Sequence, residues 1–138
     1  LEDCPEDIRP KWLESKKKWV FQNGSEIVVV GLDLHADKLR GRYADLVIID
    51  EAGFVKVNLK SLYSSVLVPL TLKRKGARIV MLSTPPKNAG HSFMAFVTKA
   101  KAEGSFAKFT VYDNPLLTLE EIEEYRKEFL DEVDWQRE

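Results

Sequence analysis

Leu46-Val47-Ile48-Ile49-Asp50-Glu51-Ala52-Gly53 is the stretch on which the fold turns. Read from Ala44, it is an apolar, largely β-branched run that ends abruptly in two carboxylates. A short continuous run of this kind predicts a strand over residues 44–49, buried on both faces as strands of parallel sheets are. The acids Asp50 and Glu51 then fall at the C-terminal edge of that strand, where open α/β sheets bind their ligands.

Downstream, Arg78-Ile79-Val80-Met81-Leu82 reads as a second buried strand running into Ser83-Thr84-Pro85-Pro86. Between the two strands a helix is expected from Lys60 to Lys75. Leu62, Val66 and Leu70 keep helical spacing, Pro69 kinks it and Gly76 ends it. Ser92 to Glu103 has helical periodicity closed by Gly104, and Phe106 to Tyr112 alternates like a strand. Asp113-Asn114-Pro115 turns the chain, and Thr118-Leu119-Glu120-Glu121 is a capping box opening an acidic helix to about Val133. Upstream, Trp19 to Gln22 and Glu26 to Val30 flank Asn23-Gly24-Ser25, a strong hairpin signal. Asp7 to Lys17 suggests a short helix interrupted by Pro10, and Gly31 to Tyr43 a loop with at most a short helix. After the hairpin the order is strand, helix, strand, helix, strand, helix. The fold class is therefore α/β, a parallel sheet flanked by helices with a β-hairpin near the N-terminus.

The totals bound the function. At 138 residues, 44% of them hydrophobic, the chain has material for one domain with a core and not for two. Its 21 basic and 22 acidic residues nearly cancel, which argues against a uniformly basic nucleic-acid binder while leaving room for a local basic face. A single cysteine, Cys4, and two histidines, His35 and His91, argue against a structural zinc site. No apolar run reaches the roughly 18–20 residues a membrane span needs.

The paired acids carry the chemistry. Nucleotide hydrolysis at such a sheet edge needs one carboxylate to orient Mg²⁺ and a second to position and polarise the attacking water. Asp50 fits the first task and Glu51 the second. The plainer reading, an Asp-Glu pair that ends a strand and opens a solvated turn, stays open on these residues alone. Ser83 and Thr84 bring hydroxyls to the end of the second strand. If the strands are neighbours, those hydroxyls lie near the acids, where they can meet a γ-phosphate or the lytic water. Arg40 and Arg42 have the planar fork that pairs with phosphate oxygens, although loop charges are ordinarily just solvated. His35, His91, Trp12, Trp19 and Trp135 read as packing or surface residues. Lys16-Lys17-Lys18 and Lys73-Arg74-Lys75 read as solvated basic clusters.

In order along the chain, these features resemble the ATPase domain of viral terminase large subunits, the motors that pump DNA into procapsids. Residues 44–52 are similar to that family's Walker B strand and catalytic glutamate, and Ser83-Thr84-Pro85 to its coupling motif. The hairpin, Leu39-Arg40-Gly41 and Asp113-Asn114-Pro115 occur in the same order, so the resemblance covers residues 19–138. It implies a partial P-loop sheet of the ASCE type, with residues 1–138 as the later part of the ATPase domain. ATP and Mg²⁺ are the implied cofactors, with Asp50 binding the metal through water, Glu51 catalytic, and Ser83 and Thr84 contacting nucleotide. It also implies double-stranded DNA, a portal protein and a small terminase subunit as partners, a homo-oligomeric motor and the host cytoplasm as its location, with no membrane.

The sequence departs from the pattern in having no Gly-x-x-x-x-Gly-Lys-Ser/Thr loop. The expectation is a fragment lacking that loop and a nuclease domain, inactive by itself, with sheet edges left unpaired. A helicase-type ATPase fragment and a non-catalytic α/β remnant stay open as alternatives.

Overall fold

In the computed structural model, residues 4–129 and Trp135 are described. The chain is mixed α/β, with a small three-stranded antiparallel sheet and a two-stranded parallel sheet. In the first sheet β1 (Lys11–Leu13), β2 (Lys18–Val20) and β3 (Glu26–Val28) lie in sequence order. The expected hairpin forms at the Asn-Gly signal. The Phe21 N–H donates to Ser25 O at 2.9 Å, the Ser25 N–H to Asn23 Oδ1 at 3.0 Å, and Gly24 takes the positive φ of +82° that the turn needs.

The expected helix over Asp7 to Lys17 is overturned. Lys11–Leu13 is a strand instead, and only Glu14–Lys16 makes a 3₁₀ turn, closed by Lys17 in the left-handed region. Pro10 is buried and removes a helical donor, while Trp12 lies opposite Trp19 across the pair with ring centroids 4.3 Å apart. A cross-strand aromatic pair is worth more here than an interrupted helix.

The second sheet pairs β4 (Leu46–Ile49) with β5 (Arg78–Met81) in parallel, Ile49 opposite Met81. Between them runs a helical segment of three parts. It comprises α2 (Leu59–Leu62), a π turn (Tyr63–Leu67) and α3 (Val68–Thr71). α1 (Leu32–His35) is a single turn earlier in the chain. Asn58 caps the start of α2, its side chain accepting from Ser61 N–H.

The segment ends at Thr71, short of the expected Lys75. Pro69 dictates its interior, since it has no N–H to give the carbonyl of Ser65, four residues back. Nη1 of Arg40 donates to that carbonyl at 3.3 Å, and Ala44 N–H donates to Leu70 O at 2.9 Å. The loop preceding β4 therefore supplies donors that the helix lacks, and a π turn of the kind that relieves such a ladder sits just ahead of the proline.

One face of the β4–β5 ribbon packs on this segment. Ile49, Leu59, Leu62, Val66, Leu67 and Leu70 are buried in one cluster, joined by Phe93 and flanked by Val47, Ile79 and Met81. The opposite face is open: Leu46 is 53%, Ile48 58% and Leu82 51% exposed. The expectation of strands buried on both faces thus holds for one face only, because the described residues place helices on one side of the ribbon.

α4 (Phe93–Ala102) ends as expected, with Gly104 at φ +67°. Ser105 N–H donates to Ala100 O at 2.9 Å and Gly104 N–H to Lys101 O at 3.3 Å, a Schellman closure. The strand expected over Phe106 to Tyr112 does not form. Residues 105–110 carry no regular structure and Val111–Asp113 is a 3₁₀ turn. A strand exists only by pairing, and no described segment lies beside this one in a ladder. α5 (Leu119–Lys127) begins at the expected capping box. Thr118 Oγ1 accepts from Glu121 N–H at 3.3 Å, and Thr118 N–H donates back to Glu121 Oε2 at 2.8 Å. The helix stops short of the expected Val133: Glu128 is its C-cap and Phe129 lies beyond it, while residues 130–133 lie outside the described residues. Ile122 is buried, and Trp135 meets Tyr112, Tyr125 and Phe129 edge-on.

Two outcomes follow. Leu67 is fully buried, so Leu67→Ala should cost about 2–5 kcal/mol in chemical denaturation. An unchanged midpoint would place the core elsewhere. The hydrogen bonds from Thr118 hold the Glu121 carboxyl below its ordinary value of 4.5. A depressed folded value stabilises the cap above the unfolded value and loses that contribution as pH falls through the folded one. The Thr118 amide resonance should therefore titrate below the ordinary glutamate range, and Glu121→Ala should abolish that titration.

Candidate functional site

The register of β4 on β5 decides what meets at the end of the ribbon. Beyond the last paired residues, Leu82 N–H donates to Ile49 O at 2.9 Å. Ala52 N–H then donates to Leu82 O at 2.9 Å, carrying the ladder past the strands. Gly53 N–H donates to Ser83 Oγ at 3.0 Å. Asp50 and Glu51 lie in the chain between these clasped points, so the acids and the Ser83-Thr84 hydroxyls share one rim, the C-terminal edge of both strands.

Backbone geometry at the rim is specialised. Glu51 has φ 52° and ψ 40°, a left-handed conformation that a non-glycine residue adopts at a cost on the order of 1 kcal/mol or more. Its turn is held on both sides. Asp50 Oδ1 accepts from Glu51 N–H at 3.0 Å, and Phe54 N–H donates to Glu51 O at 2.9 Å. Ala52 and Gly53 are buried, whereas Asp50 and Glu51 stay exposed. The strain lifts the carboxylates out of the packed layer while the two residues after them remain under it.

Gly53 was not singled out by sequence, and it is the residue that lets the two strand ends touch. A Cβ there would lie 2.8 Å from Ser83 Oγ, 3.1 Å from Thr84 O and 3.3 Å from Pro86 Cδ. The only sequence signal was a glycine just after the acids, where the close approach of a second backbone is one of the ordinary reasons for it. The Ser83 oxygen, expected to face a phosphate, is occupied as an acceptor for Gly53 N–H. Its own hydrogen is not consumed by that bond.

Behind the rim, His91 Nδ1 accepts from Phe93 N–H at 3.2 Å, so Nε2 carries the hydrogen and donates to Val55 O at 3.0 Å. Ser92 Oγ accepts from Leu59 N–H at 3.2 Å. These bonds pin the start of α4 to the chain leaving the rim, a positioning role consistent with the plain reading of His91.

The donor set at the rim suits a hard, water-rich cation. Among the described residues no group of three or more His, Cys, Asp and Glu side chains could hold a metal by itself. Mg²⁺ in phosphate sites takes one or two carboxylates and leaves its other positions to water and phosphate. Asp50, with one oxygen used by Glu51 N–H and the other available, matches that demand.

Arg40 and Arg42 are not brought to the rim. They precede β4, at the end of the ribbon opposite Asp50, and line a pocket of about 300 Å³ with Tyr43, Val66, Pro69 and Lys73. Arg40 is further committed to Asp37 Oδ1 at 2.8 Å and to the Ser65 carbonyl. No helix among the described residues is long and apolar enough to cross a membrane.

In comparison with known proteins, no curated protein and no solved structure matches the chain. A family model described as terminase large subunit, T4likevirus-type, N-terminal, matches residues 2–138. With that match running along almost its whole length, the chain belongs to the T4-like terminase large subunit family, whose members serve viral DNA packaging, and corresponds to the N-terminal region of such a subunit.

Proposed function

We propose that this chain supplies the metal-orienting and water-activating part of a packaging ATPase that drives double-stranded DNA into a procapsid. One observation carries the reading. Two parallel, hydrogen-bonded strands end at a common rim bearing an exposed Asp-Glu pair and two hydroxyl residues. The sheet is then a portion of a P-loop fold of the ASCE type, with β4 as its Walker B strand. No phosphate-cradling glycine loop is among these 138 residues, so the part of the site assigned here is the half opposite the phosphate loop.

Asp50 would hold Mg²⁺ through water, and the ion would supply positive charge to offset what develops on the phosphates of ATP. Glu51, held outward by its left-handed backbone, accepts a hydrogen bond from the attacking water and aligns it. Ser83 ties the Glu51 turn to β5 through Gly53, so any shift of the Ser83-Thr84-Pro85 segment is felt at the catalytic carboxylate. This gives a physical form to coupling: loss of a γ-phosphate contact at Thr84 or the Ser83 hydrogen is passed to the turn through one hydrogen bond and one tight glycine contact. Portal protein, small terminase subunit, a homo-oligomeric ring and the host cytoplasm complete the proposal.

In the intact large subunit, Glu51→Gln should lower ATP turnover about 10²–10⁴-fold while nucleotide binding persists. Asp50→Asn should raise the Mg²⁺ concentration needed for half-maximal rate. Turnover that survives Glu51→Gln would sink the assignment, as would robust hydrolysis by the 138-residue chain alone above its own Glu51→Gln control.

The Gly53 contact has a separate test. Gly53→Ala should cost about 1–3 kcal/mol from overpacking. In a double-mutant cycle with Ser83→Ala the two costs should not add, because removing the hydroxyl relieves the closest contact. Strict additivity would mean the two strand ends are not clasped.

A further inference from the structure

The peptide joining Val55 to Lys56 is gripped on both of its polar groups by side chains from remote parts of the chain. Its carbonyl, on Val55, accepts from His91 Nε2 at 3.0 Å, and its N–H, on Lys56, donates to Asp33 Oδ1 at 2.9 Å. Asp33 lies on α1, and His91 on the segment between β5 and α4. The carbonyl and N–H of a trans peptide plane point in opposite directions. The two partners therefore hold the plane from opposite sides, and rotating it would break both bonds at once. Val55 is buried, so water is poorly placed to replace the histidine as donor.

This anchored plane directly follows the 3₁₀ turn Ala52–Phe54, whose leading residue is Glu51 in the left-handed region. A strained residue persists only where its surroundings over-determine it. The interior of the turn is closed by Phe54 N–H on Glu51 O, and Gly53 N–H ties it to Ser83. Without a fixed far end, the residues after Glu51 could unwind and let its backbone fall back to the right-handed region. The carboxylate would swing with it. His91 and Asp33 supply the fixed end.

We propose that His91 and Asp33 are positioning residues for Glu51, fixing the Val55–Lys56 peptide against which the strained turn is braced. The effect on turnover rests on the ATPase reading; the brace itself is a property of the backbone. Both side chains act through the main chain. His91 also gives the segment from Ser83 to Ser92 a second tie to the chain after Glu51, beside that of Ser83 to Gly53. A displacement of that segment then carries the turn as a unit instead of twisting it.

Half-mimics separate the two bonds of His91, whose Nδ1 accepts from Phe93 N–H at the start of α4. His91→Gln keeps a donor where Nε2 stands, and His91→Asn keeps an acceptor where Nδ1 stands. In the intact large subunit, His91→Asn should lower kcat and kcat/KM for ATP together, about tenfold, and His91→Gln should recover most of that loss. Asp33 is exposed. Asp33→Ala should lower turnover likewise, and Asp33→Asn, which keeps an acceptor without the charge, should restore it. Hydrogen exchange over residues 52–56, followed by mass spectrometry, needs no ATP. His91→Asn and Asp33→Ala should quicken exchange there, and the two rescuing variants should not.

The reverse pattern at residue 91, turnover kept by His91→Asn and lost by His91→Gln, would mean that the histidine only starts α4, and the proposal is overturned. It is overturned too if Asp33→Ala leaves exchange and turnover as in the wild type, or if exchange quickens while turnover holds. Should His91→Asn fail to fold, the two Asp33 variants decide alone. A Glu51→Gln protein that keeps its turnover would overturn the ATPase reading instead, a result on which the exchange measurements do not depend.

Discussion

The parallel pairing of Leu46–Ile49 with Arg78–Met81 is the constraint on which the rest depends. A parallel pair cannot be closed by a tight turn, so the chain must cross over, and the segment from Asn58 to Thr71 is that crossover. Because the crossover is apolar along one side, it supplies the core against which Val47, Ile49, Ile79 and Met81 pack. Register then has a functional result. With Ile49 opposite Met81, the first residues beyond each strand are Asp50 and Leu82. The ladder continues just far enough to clasp Gly53 to Ser83. A slip of one residue would turn Ile49 out of the core and move the acids away from the hydroxyls.

Strain and satisfaction are divided between the two ends of the ribbon. At the C-terminal rim the cost is a left-handed glutamate, tolerated because its neighbours are hydrogen-bonded on either side and Ala52 and Gly53 are buried. At the N-terminal end the difficulty is a proline inside a helix, answered by donors from the loop ahead of β4. The glutamate's turn is closed locally, by Asp50 and Phe54, whereas the proline's gap is met by partners remote in sequence.

Legibility in the sequence followed the range of the signal. The hairpin was readable because Asn23-Gly24 encodes its turn locally. The two capped or glycine-closed helices were readable because Thr118, Glu121 and Gly104 act within a turn of themselves. The paired strands were readable as apolar runs, but the exposure of Ile48 and Leu46 was not, since a run of β-branched residues does not say which of its faces has a partner. Lys11–Leu13 was misread because its pairing rests on Trp12 meeting Trp19, a contact no local pattern announces. Phe106 to Tyr112 failed for the converse reason: alternation was present, and among the described residues no segment pairs with it. At the site, Asp50, Glu51, Ser83 and Thr84 were named from sequence. Gly53 was not, because its importance lies in the backbone of residues thirty positions later.

The bond from Arg40 to Ser65 bears on how charge-removal experiments in this family region are to be interpreted. Arg40 closes the gap that Pro69 opens in the helical ladder and ties Asp37 into the same corner. Truncating it loosens the crossover as well as erasing a positive charge, so a lost activity would mix both causes. Lysine at that position keeps the charge but lacks the fork that spans a carboxylate and a carbonyl together, which makes the arginine-to-lysine exchange the cleaner separation of scaffold from electrostatics.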